Sequence, residues 1–187
     1  MTLPLRTERL LIMVLSAAHR DTFVAYRREP SVARYQSWTP EYSTADADAL
    51  IAGQPLDGTP TPGEWVQLAL VLSSSGDEQT LVGDVAVGLD PVQPRTFELG
   101  VTIAPSHQGN GFAEEGLRAV IDRLMTRCAA HRIVMQGDAR NAAVLRLMQR
   151  LSLRHEGSVL EGDWFKGEWT TLERYALLRR EWEPRSG

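Results

Sequence analysis

An alternating strand, a turn with two glycines and a long amphipathic helix follow one another in the middle of the chain. Apolar residues occupy every second position over residues 97–103, which is the period of a strand. Gly109 and Gly111 come next, and apolar residues then recur at helical spacing as far as Cys128. Glycines let the backbone turn tightly, and the first N–H groups of a helix lack partners within it. The segment therefore predicts a strand–turn–helix unit whose turn is either an anion site or an ordinary turn capped by Asn110.

The rest of the sequence alternates between shorter segments of the same two kinds. Ser16 can cap one helix, and Ser43 or Thr44 can cap another. Two apolar runs flank the polar residues 73–77 and predict a hairpin. Strands are predicted at residues 10–15, 66–72, 81–89, 97–103, 133–135, 154–160 and 169–178, and helices begin near residues 16, 43, 112 and 141. This order predicts a single mixed α/β domain over residues 1–187, with helices on both faces of one sheet.

The composition is that of a globular protein, with 43% hydrophobic and 24% charged residues. No apolar run reaches the length of a membrane span, and the start of the chain lacks the pattern of a signal peptide. A formal net charge of −4 weighs against a broad nucleic-acid surface. The only cysteine, Cys128, falls at an apolar helix position, and the four histidines show no metal-ligand spacing with it. We therefore expect a cytoplasmic protein that binds neither nucleic acid, nor membrane, nor a metal.

Several motifs resemble those of the GNAT N-acetyltransferases and occur in that family's order. Residues 108–113 resemble the Gln/Arg-x-x-Gly-x-Gly/Ala pyrophosphate loop, and residues 97–101 resemble the fourth strand. Asn141 begins a segment that resembles Asn-x-x-Ser followed by a helix, and residues 5–10 resemble the opening Leu-x-Thr-Glu-Arg-Leu of the RimJ/RimL-like branch. The resemblance implies the GNAT fold: a mostly antiparallel sheet of about seven strands, splayed between its fourth and fifth strands and flanked by about four helices.

The same resemblance implies acetyl-CoA, or another acyl-CoA, as the co-substrate. The pantetheine arm would hydrogen-bond the strand backbone beside Val101 and Ile103. Asn141 would bind the thiol end of the cofactor, cap the helix predicted to begin near residue 141, or do both. The pyrophosphate would be held by N–H groups of the loop residues Gln108, Gly109, Asn110, Gly111, Phe112 and Ala113.

Two carboxylates are candidates for the catalytic base that removes a proton from an amine. Glu98 ranks first because many family members place a base on this strand, and its side chain is predicted to lie opposite the apolar face. Asp163 ranks second because it matches roughly the position of a catalytic glutamate in ribosomal-type members, with Glu161 as the neighbour if the alignment shifts by two. Either carboxylate could instead be a surface ion-pair partner. An N–H group near Val101 would stabilise the oxyanion.

Two positions depart from the family in ways that bear on function. Val144 and Met148 stand where other members carry a serine and a tyrosine that protonate the departing thiolate. Neither side chain can donate a proton, which favours the alternative of a non-catalytic acyl-CoA-binding or regulatory domain. As an enzyme, the chain would transfer an acyl group through a ternary complex to a protein N-terminus or a small amine, as a monomer or a homodimer. A nucleotide-binding protein of another class is disfavoured because no Gly-Lys-Ser/Thr follows the glycines.

Six aromatic residues flank the two regions where this family builds its acceptor cleft. Aromatic walls could hold an amine, or the rings could serve as packing or dimer contacts. The six residues are Tyr35, Trp38, Tyr42, Trp164, Phe165 and Trp169.

Overall fold

The computed structural model of the chain describes residues 1, 3–73 and 80–182. The strands are β1 (Leu5–Arg6), β2 (Leu10–Val14), β3 (Trp65–Leu72), β4 (Leu81–Leu89), β5 (Thr96–Ile103), β6 (Arg132–Asp138), β7 (Arg154–Phe165) and β8 (Glu168–Leu178). They form one eight-stranded sheet in the order β1-β2-β3-β4-β5-β6-β8-β7. All seven predicted strands are present, β1 is additional, and β3 and β4 pair antiparallel as the predicted hairpin requires. Apart from Ser73, the predicted turn at 73–77 lies outside the described residues.

The sheet is antiparallel except where β5 meets β6. These two strands pair in parallel only through residues 96–98 and 132–134. β5 then continues to Ile103 and β6 to Asp138, and within the described chain they do not pair with each other again. The sheet is therefore splayed at this point, which confirms the predicted splay. Beyond Glu98, the edge of β5 on the side of β6 has no strand paired to it within the described residues, and the gap between the two strands opens there.

The described residues form five α-helices that cover both faces of the sheet. One face carries α1 (Arg20–Arg27), α2 (Pro30–Ala33) and α3 (Thr44–Ala52), and the other carries α4 (Phe112–Arg127) and α5 (Ala142–Arg150). The strand residues alternate accordingly: Ala69 and Val71 pack against the first group, while Leu68 and Leu70 pack against the second. None of the described helices combines the length and the apolar character needed to cross a bilayer.

The helix boundaries follow from short local signals. Ser43 accepts a hydrogen bond from the backbone of Asp46, whose carboxylate accepts one in return, and this capping box begins α3. The helix predicted after Ser16 begins as a short 3₁₀ turn and continues as α1, and Pro30 starts α2 at its first position. In α4 the predicted apolar stripe is buried against the sheet: Leu117, Val120, Ile121, Leu124 and Met125.

Candidate active site

Two glycines in the left-handed conformation shape the turn between β5 and α4. Gly109 has a φ of 79°, and Gly111, which is the N-cap of α4, has a φ of 82°. Asn110 does not cap the helix, because its amide donates to the carbonyls of His107 and Gln108, both at 3.2 Å. The alternative prediction, an ordinary turn capped by Asn110, is therefore wrong. A Cβ at Gly109 would meet no heavy atom within 4 Å, so open space lies at the N-terminus of α4, where unpaired N–H groups favour an anion.

The side chain of Arg9 connects the segment at residues 5–10 to this turn through hydrogen bonds. Its guanidinium donates to the carbonyl of Asn110 at 3.0 Å and to the carboxylate of Glu115 at 2.7 Å. The hydroxyl of Thr7 also donates to Glu115, at 2.5 Å. The motif at residues 5–10 thus holds the first turn of α4 in place. The motif is visible in the sequence, but this role is not predictable from it, because Arg9 and Glu115 are 106 positions apart.

Arginines neutralise both glutamates in the first turn of α4. Glu114 pairs with Arg118 at 2.8 Å and with Arg150 of α5 at 2.9 Å, and Glu115 pairs with Arg9 at 2.6 Å. Burial tends to raise the pKa of each carboxyl, but the hydrogen bonds and charges of these partners outweigh it and lower the pKa. Both carboxylates are therefore ionised and paired, and they leave little uncompensated negative charge beside the candidate anion site.

A cleft of about 700 Å³ extends from the glycine turn along β5 to α5. The splay between β5 and β6 opens it, and Tyr35 and Gln36, which follow α2, close one side. The amide of Gln108 donates to the carbonyl of Ile103 at 3.0 Å and so ties the turn to the end of β5. Among the predicted cofactor residues, Asn110 alone does not line the cleft, and those that do are Val101, Ile103, Gln108, Gly109, Gly111, Phe112, Ala113 and Asn141.

One face of α5, from its N-cap to Arg150, forms the opposite wall of the cleft. Asn141 is the N-cap of this helix, since its side-chain oxygen accepts from the N–H of Val144 at 3.3 Å, and it also lines the cleft. Val144 lines the cleft as well, whereas Met148 is 0% exposed and lies in the core. A hydroxyl at position 144 would therefore reach the cleft, but position 148 faces away from it. Gly137 of β6 allows the helix to pack closely on this strand, since a Cβ at that position would lie only 2.8 Å from the side chain of Val144.

Glu98 lies at the last position where β5 pairs with β6. Its side chain is half-buried and accepts a hydrogen bond from the amide of Gln136 at 3.0 Å. Burial raises the pKa of the Glu98 carboxyl, and the Gln136 hydrogen bond and the charge of Arg174 only partly offset this effect. A carboxyl with a raised pKa is a better general base near neutral pH than an exposed one.

Glu98 lines a second, smaller cavity of about 210 Å³ at the other end of β5. Strand register places Trp65, Gly88 and Glu98 side by side on three adjacent strands. Asp90 and Thr96 also line this cavity, and the N–H of Asp90 donates to the carbonyl of Thr96 at 2.9 Å. This cavity was not predicted from the sequence, because its formation depends on the register of three strands. Among the described residues, no three His, Cys, Asp or Glu side chains are grouped to hold a metal ion.

Asp163, the second candidate base, lies on the edge strand β7 opposite Thr170 of β8. β8 and β6 separate β7 from β5 in the sheet, and Asp163 lines neither of the two cavities. Glu161 is exposed and has a left-handed φ of 47°. The structure thus does not bring these carboxylates to Glu98, and a catalytic role for Asp163 stays a prediction.

The predicted aromatic residues divide into separate groups. Tyr35 lines the 700 Å³ cleft. Trp38 and Tyr42 pack around the guanidinium of Arg27. Trp164 and Trp169 contact each other across the β7–β8 hairpin, with ring centroids 5.2 Å apart, and both are exposed. The last residue, Phe165, lies next to the turn of that hairpin.

Lys166, at the turn of the β7–β8 hairpin, connects the hairpin to the cleft. Its ammonium donates to the carbonyl of Ala33 at 2.6 Å and to the carbonyl of Trp38 at 2.7 Å. These carbonyls flank Tyr35 in the sequence. The hairpin therefore fixes the segment that closes one side of the 700 Å³ cleft.

Comparisons with known proteins give a consistent result. The family description "Acetyltransferase (GNAT) domain" matches residues 9–154. The uncharacterized N-acetyltransferase p20 of Bacillus licheniformis is 24% identical over 95% of this chain and 97% of its own length. The structure of spermidine N-acetyltransferase from Vibrio cholerae, in complex with CoA and spermine, superposes with a TM-score of 0.78 at 19% identity, covering 94% of this chain and 98% of that chain. The structure of RimL, a ribosomal L7/L12 α-N-protein acetyltransferase in complex with CoA, gives a TM-score of 0.77 at 16% identity, covering 92% and 95%.

Proposed function

The chain belongs to the GNAT acetyltransferase family, and on that premise we propose that it transfers an acyl group from acyl-CoA to a primary amine within a ternary complex. The acyl group proposed is acetyl. The observation that carries the proposal is the continuity of the cleft, which joins the glycine turn at the N-terminus of α4 to the free edge of β5. Such a cleft suits a ligand with an anionic group at one end and an extended, amide-bearing arm at the other.

The residues of the cleft fit an acyl-CoA. The open space at Gly109 leaves room for a pyrophosphate beside the N–H groups of the turn and of α4. Beyond Glu98 the edge of β5 does not pair with β6, and near Val101 and Ile103 it offers backbone groups to the amides of a pantetheine arm, with the Ile103 carbonyl already accepting from Gln108. Asn141 supplies a polar group near the far end of the cleft. When bound, the acyl-CoA supplies the thioester that the amine attacks.

Glu98 is the proposed base. Its half-buried carboxylate accepts a proton from the amine, directly or through a water molecule, and its raised pKa suits that task near neutral pH. A backbone N–H of β5 near Val101 is the proposed donor to the oxyanion that forms on the thioester carbonyl oxygen when the amine adds to the carbonyl carbon. This donor is available because β5 does not pair with β6 beyond Glu98.

No side chain of α5 that lines the cleft is a proposed proton donor for the departing thiolate. Val144 cannot donate a proton, and Met148 lies in the core. We therefore assign protonation of the sulfur to water. The same observation favours a second candidate function, a domain that binds acyl-CoA without catalysis.

The acceptor is a small amine or a protein N-terminus. The net charge of −4 is compatible with a cationic acceptor. The similar structures include one enzyme named for spermidine and one named for the N-terminus of a ribosomal protein, so fold similarity supports both classes. An acceptor screen with acetyl-CoA, read by thiol release, separates the enzyme from the non-catalytic domain.

Acetyl-CoA binding is tested by thermal unfolding of three proteins. Acetyl-CoA at a hundredfold excess over its Kd is expected to stabilise the unmutated chain by about 2.7 kcal/mol. Gly109→Asp adds negative charge at the anion site and is expected to abolish that shift. Gly157→Asp is the matched control, because Gly157 also has a positive φ, of 147°, and no heavy atom within 4 Å of an added Cβ, but lies on β7. No shift of the unmutated protein at millimolar acetyl-CoA would contradict the proposal.

A further inference from the structure

The second cavity, at the end of β5 far from the glycine turn, has an acidic and aromatic lining. We propose that it binds a second ammonium group of the acceptor, so that the preferred acceptors are linear diamines or longer polyamines. This inference rests on the proposed function and names the class of acceptor for it.

The cavity carries negative charge that its own lining does not neutralise. Asp90 accepts hydrogen bonds from the N–H groups of Gln93 at 2.7 Å and Val92 at 2.8 Å, and these bonds lower the pKa of its carboxyl. Asp90 is therefore ionised at neutral pH. Glu98 is the second carboxyl; Arg174 acts on its charge from outside the cavity, and among the described residues no Lys, Arg or His lines the cavity. A cation fits this environment better than a neutral or anionic group.

Thr96 adds an unpaired polar group to the same cavity. The residue is only 8% exposed and points to the same side of β5 as Glu98, two positions away. Its hydroxyl makes no hydrogen bond within the part of the chain that the structure describes, yet it borders the cavity. Within the described residues this oxygen is not one of the fully buried side-chain atoms that lack a partner, so it is accessible to a hydrogen-bond donor in the cavity. An alkylammonium has three N–H donors and could satisfy Thr96 together with a carboxylate.

Trp65 supplies an aromatic wall because position 88 is a glycine. A Cβ at Gly88 would lie 2.6 Å from the indole of Trp65, so the ring lies over this glycine, toward Glu98 on the next strand. The residue is 50% exposed, which leaves part of the indole available to a ligand. Aromatic faces attract alkylammonium groups and also pack against methylene chains.

The dimensions favour a narrow, linear acceptor. A volume of about 210 Å³ is below the range of about 300–1,000 Å³ that is usual for whole small-molecule sites. The cavity thus suits one ammonium group and a short alkyl chain. Two residue steps separate Thr96 from Glu98, about 7 Å along the strand, which a short alkyl chain can span. One amine of a diamine can therefore lie near Glu98 while the other contacts Asp90 and Thr96.

Binding is tested by calorimetry with 1,4-diaminobutane and 1-aminobutane, with CoA present. The diamine is expected to bind at least about tenfold more tightly than the monoamine. Asp90→Asn retains the oxygen that accepts from Val92 and Gln93 but removes the charge, and it is expected to weaken diamine binding by about tenfold. Asp57→Asn is the matched control, because Asp57 also accepts a backbone hydrogen bond, from Thr59, outside this cavity. Equal affinities for the two amines would overturn the proposal.

Kinetics provide an independent readout. Trp65→Ala is expected to raise the KM for 1,4-diaminobutane by about tenfold without changing the KM for 1-aminobutane, and Trp65→Phe should restore most of the difference. An equal rise in both KM values would show a merely structural role for Trp65 and refute the site. Transfer to both amines without preference would refute the site and retain the proposed function. Tight diamine binding without transfer would refute the function and retain the site.

Discussion

Replacing Asp84 is expected to cause a large loss of stability. Asp84 of β4 is fully buried, accepts a hydrogen bond from the hydroxyl of Tyr26 at 2.5 Å, and lies 3.6 Å from the guanidinium of Arg27. Arg27 is itself only 3% exposed and lies within about 5 Å of three aromatic rings, those of Phe23, Trp38 and Tyr42. Asp84→Ala would leave this guanidinium buried without its counter-charge.

The size of the effect follows from this burial. Removing one partner of a buried ion pair costs about 3–5 kcal/mol. For a domain of this length each kcal/mol lowers Tm by about 2–4 °C, so Asp84→Ala should lower Tm by about 6–20 °C. Tyr26→Phe removes only the hydrogen bond to the charged carboxylate and should cost about 1.5–3 kcal/mol. Urea unfolding with an unchanged m-value would assign the difference to stability.

A double variant separates the charge from the packing. Burial raises the pKa of Asp84 despite Arg27 and Tyr26, which indicates that desolvation outweighs their stabilisation of the carboxylate. Arg27→Met with Asp84→Leu replaces the ion pair by apolar side chains, and it should be more stable than Asp84→Ala alone. A loss below about 1 kcal/mol in Asp84→Ala, or purely additive losses in the pair, would refute the reasoning.

Three further predictions concern catalysis and the cleft. Glu98→Gln is expected to lower turnover by about 10²–10⁴. Glu98→Gln should also raise Tm at about pH 8 but not at about pH 3, because a carboxyl whose pKa is raised in the folded state lowers stability only when it is ionised. Unchanged turnover in Glu98→Gln would contradict the role of Glu98 as the base. Val144→Ser places a hydroxyl in the cleft, and its rate of thiol release should be equal to or faster than that of the unmutated protein. Slower turnover together with a stability loss of about 1–3 kcal/mol would instead assign Val144 to the core. Lys166→Met removes the hydrogen bonds to residues 33 and 38, so it should lower the free energy of unfolding by about 2 kcal/mol. It should also raise the KM for acetyl-CoA. Lys166→Arg keeps the charge and the donors, so both effects should be smaller in that variant.

The parts of the fold that depend on local periodicity were predictable from the sequence. The strand at 97–103, the glycine turn and the stripe of α4 are each encoded within a few adjacent turns or strand residues. The strand β7 was predicted to end near residue 160 but reaches Phe165. Its residues are largely exposed on both faces and its pairing with β8 shifts register, so apolar alternation gives no signal there.

The candidate site was predictable only where its residues are close in sequence. The loop at 108–113 and the N-cap Asn141 carry their own signals. The ion pair between Arg9 and Glu115 joins distant segments, and the row formed by Trp65, Gly88 and Glu98 exists only once three strands are aligned. Contacts of this kind follow from topology, which single-sequence periodicity does not contain.

The strand β5 serves as the common frame of both cavities, and this arrangement constrains the chemistry. The second cavity uses Thr96 and Glu98, whereas the cofactor cleft uses Val101 and Ile103 of the same strand. Three residue steps separate Glu98 from Val101, about 10 Å along the strand. The amine reaches the Glu98 carboxylate directly if it lies between these two residues, and through a water relay if it lies beside Val101. Turnover that persists in Glu98→Asp, which moves the carboxylate back by one methylene, would support such a relay, whereas a loss as large as that in Glu98→Gln would indicate direct contact.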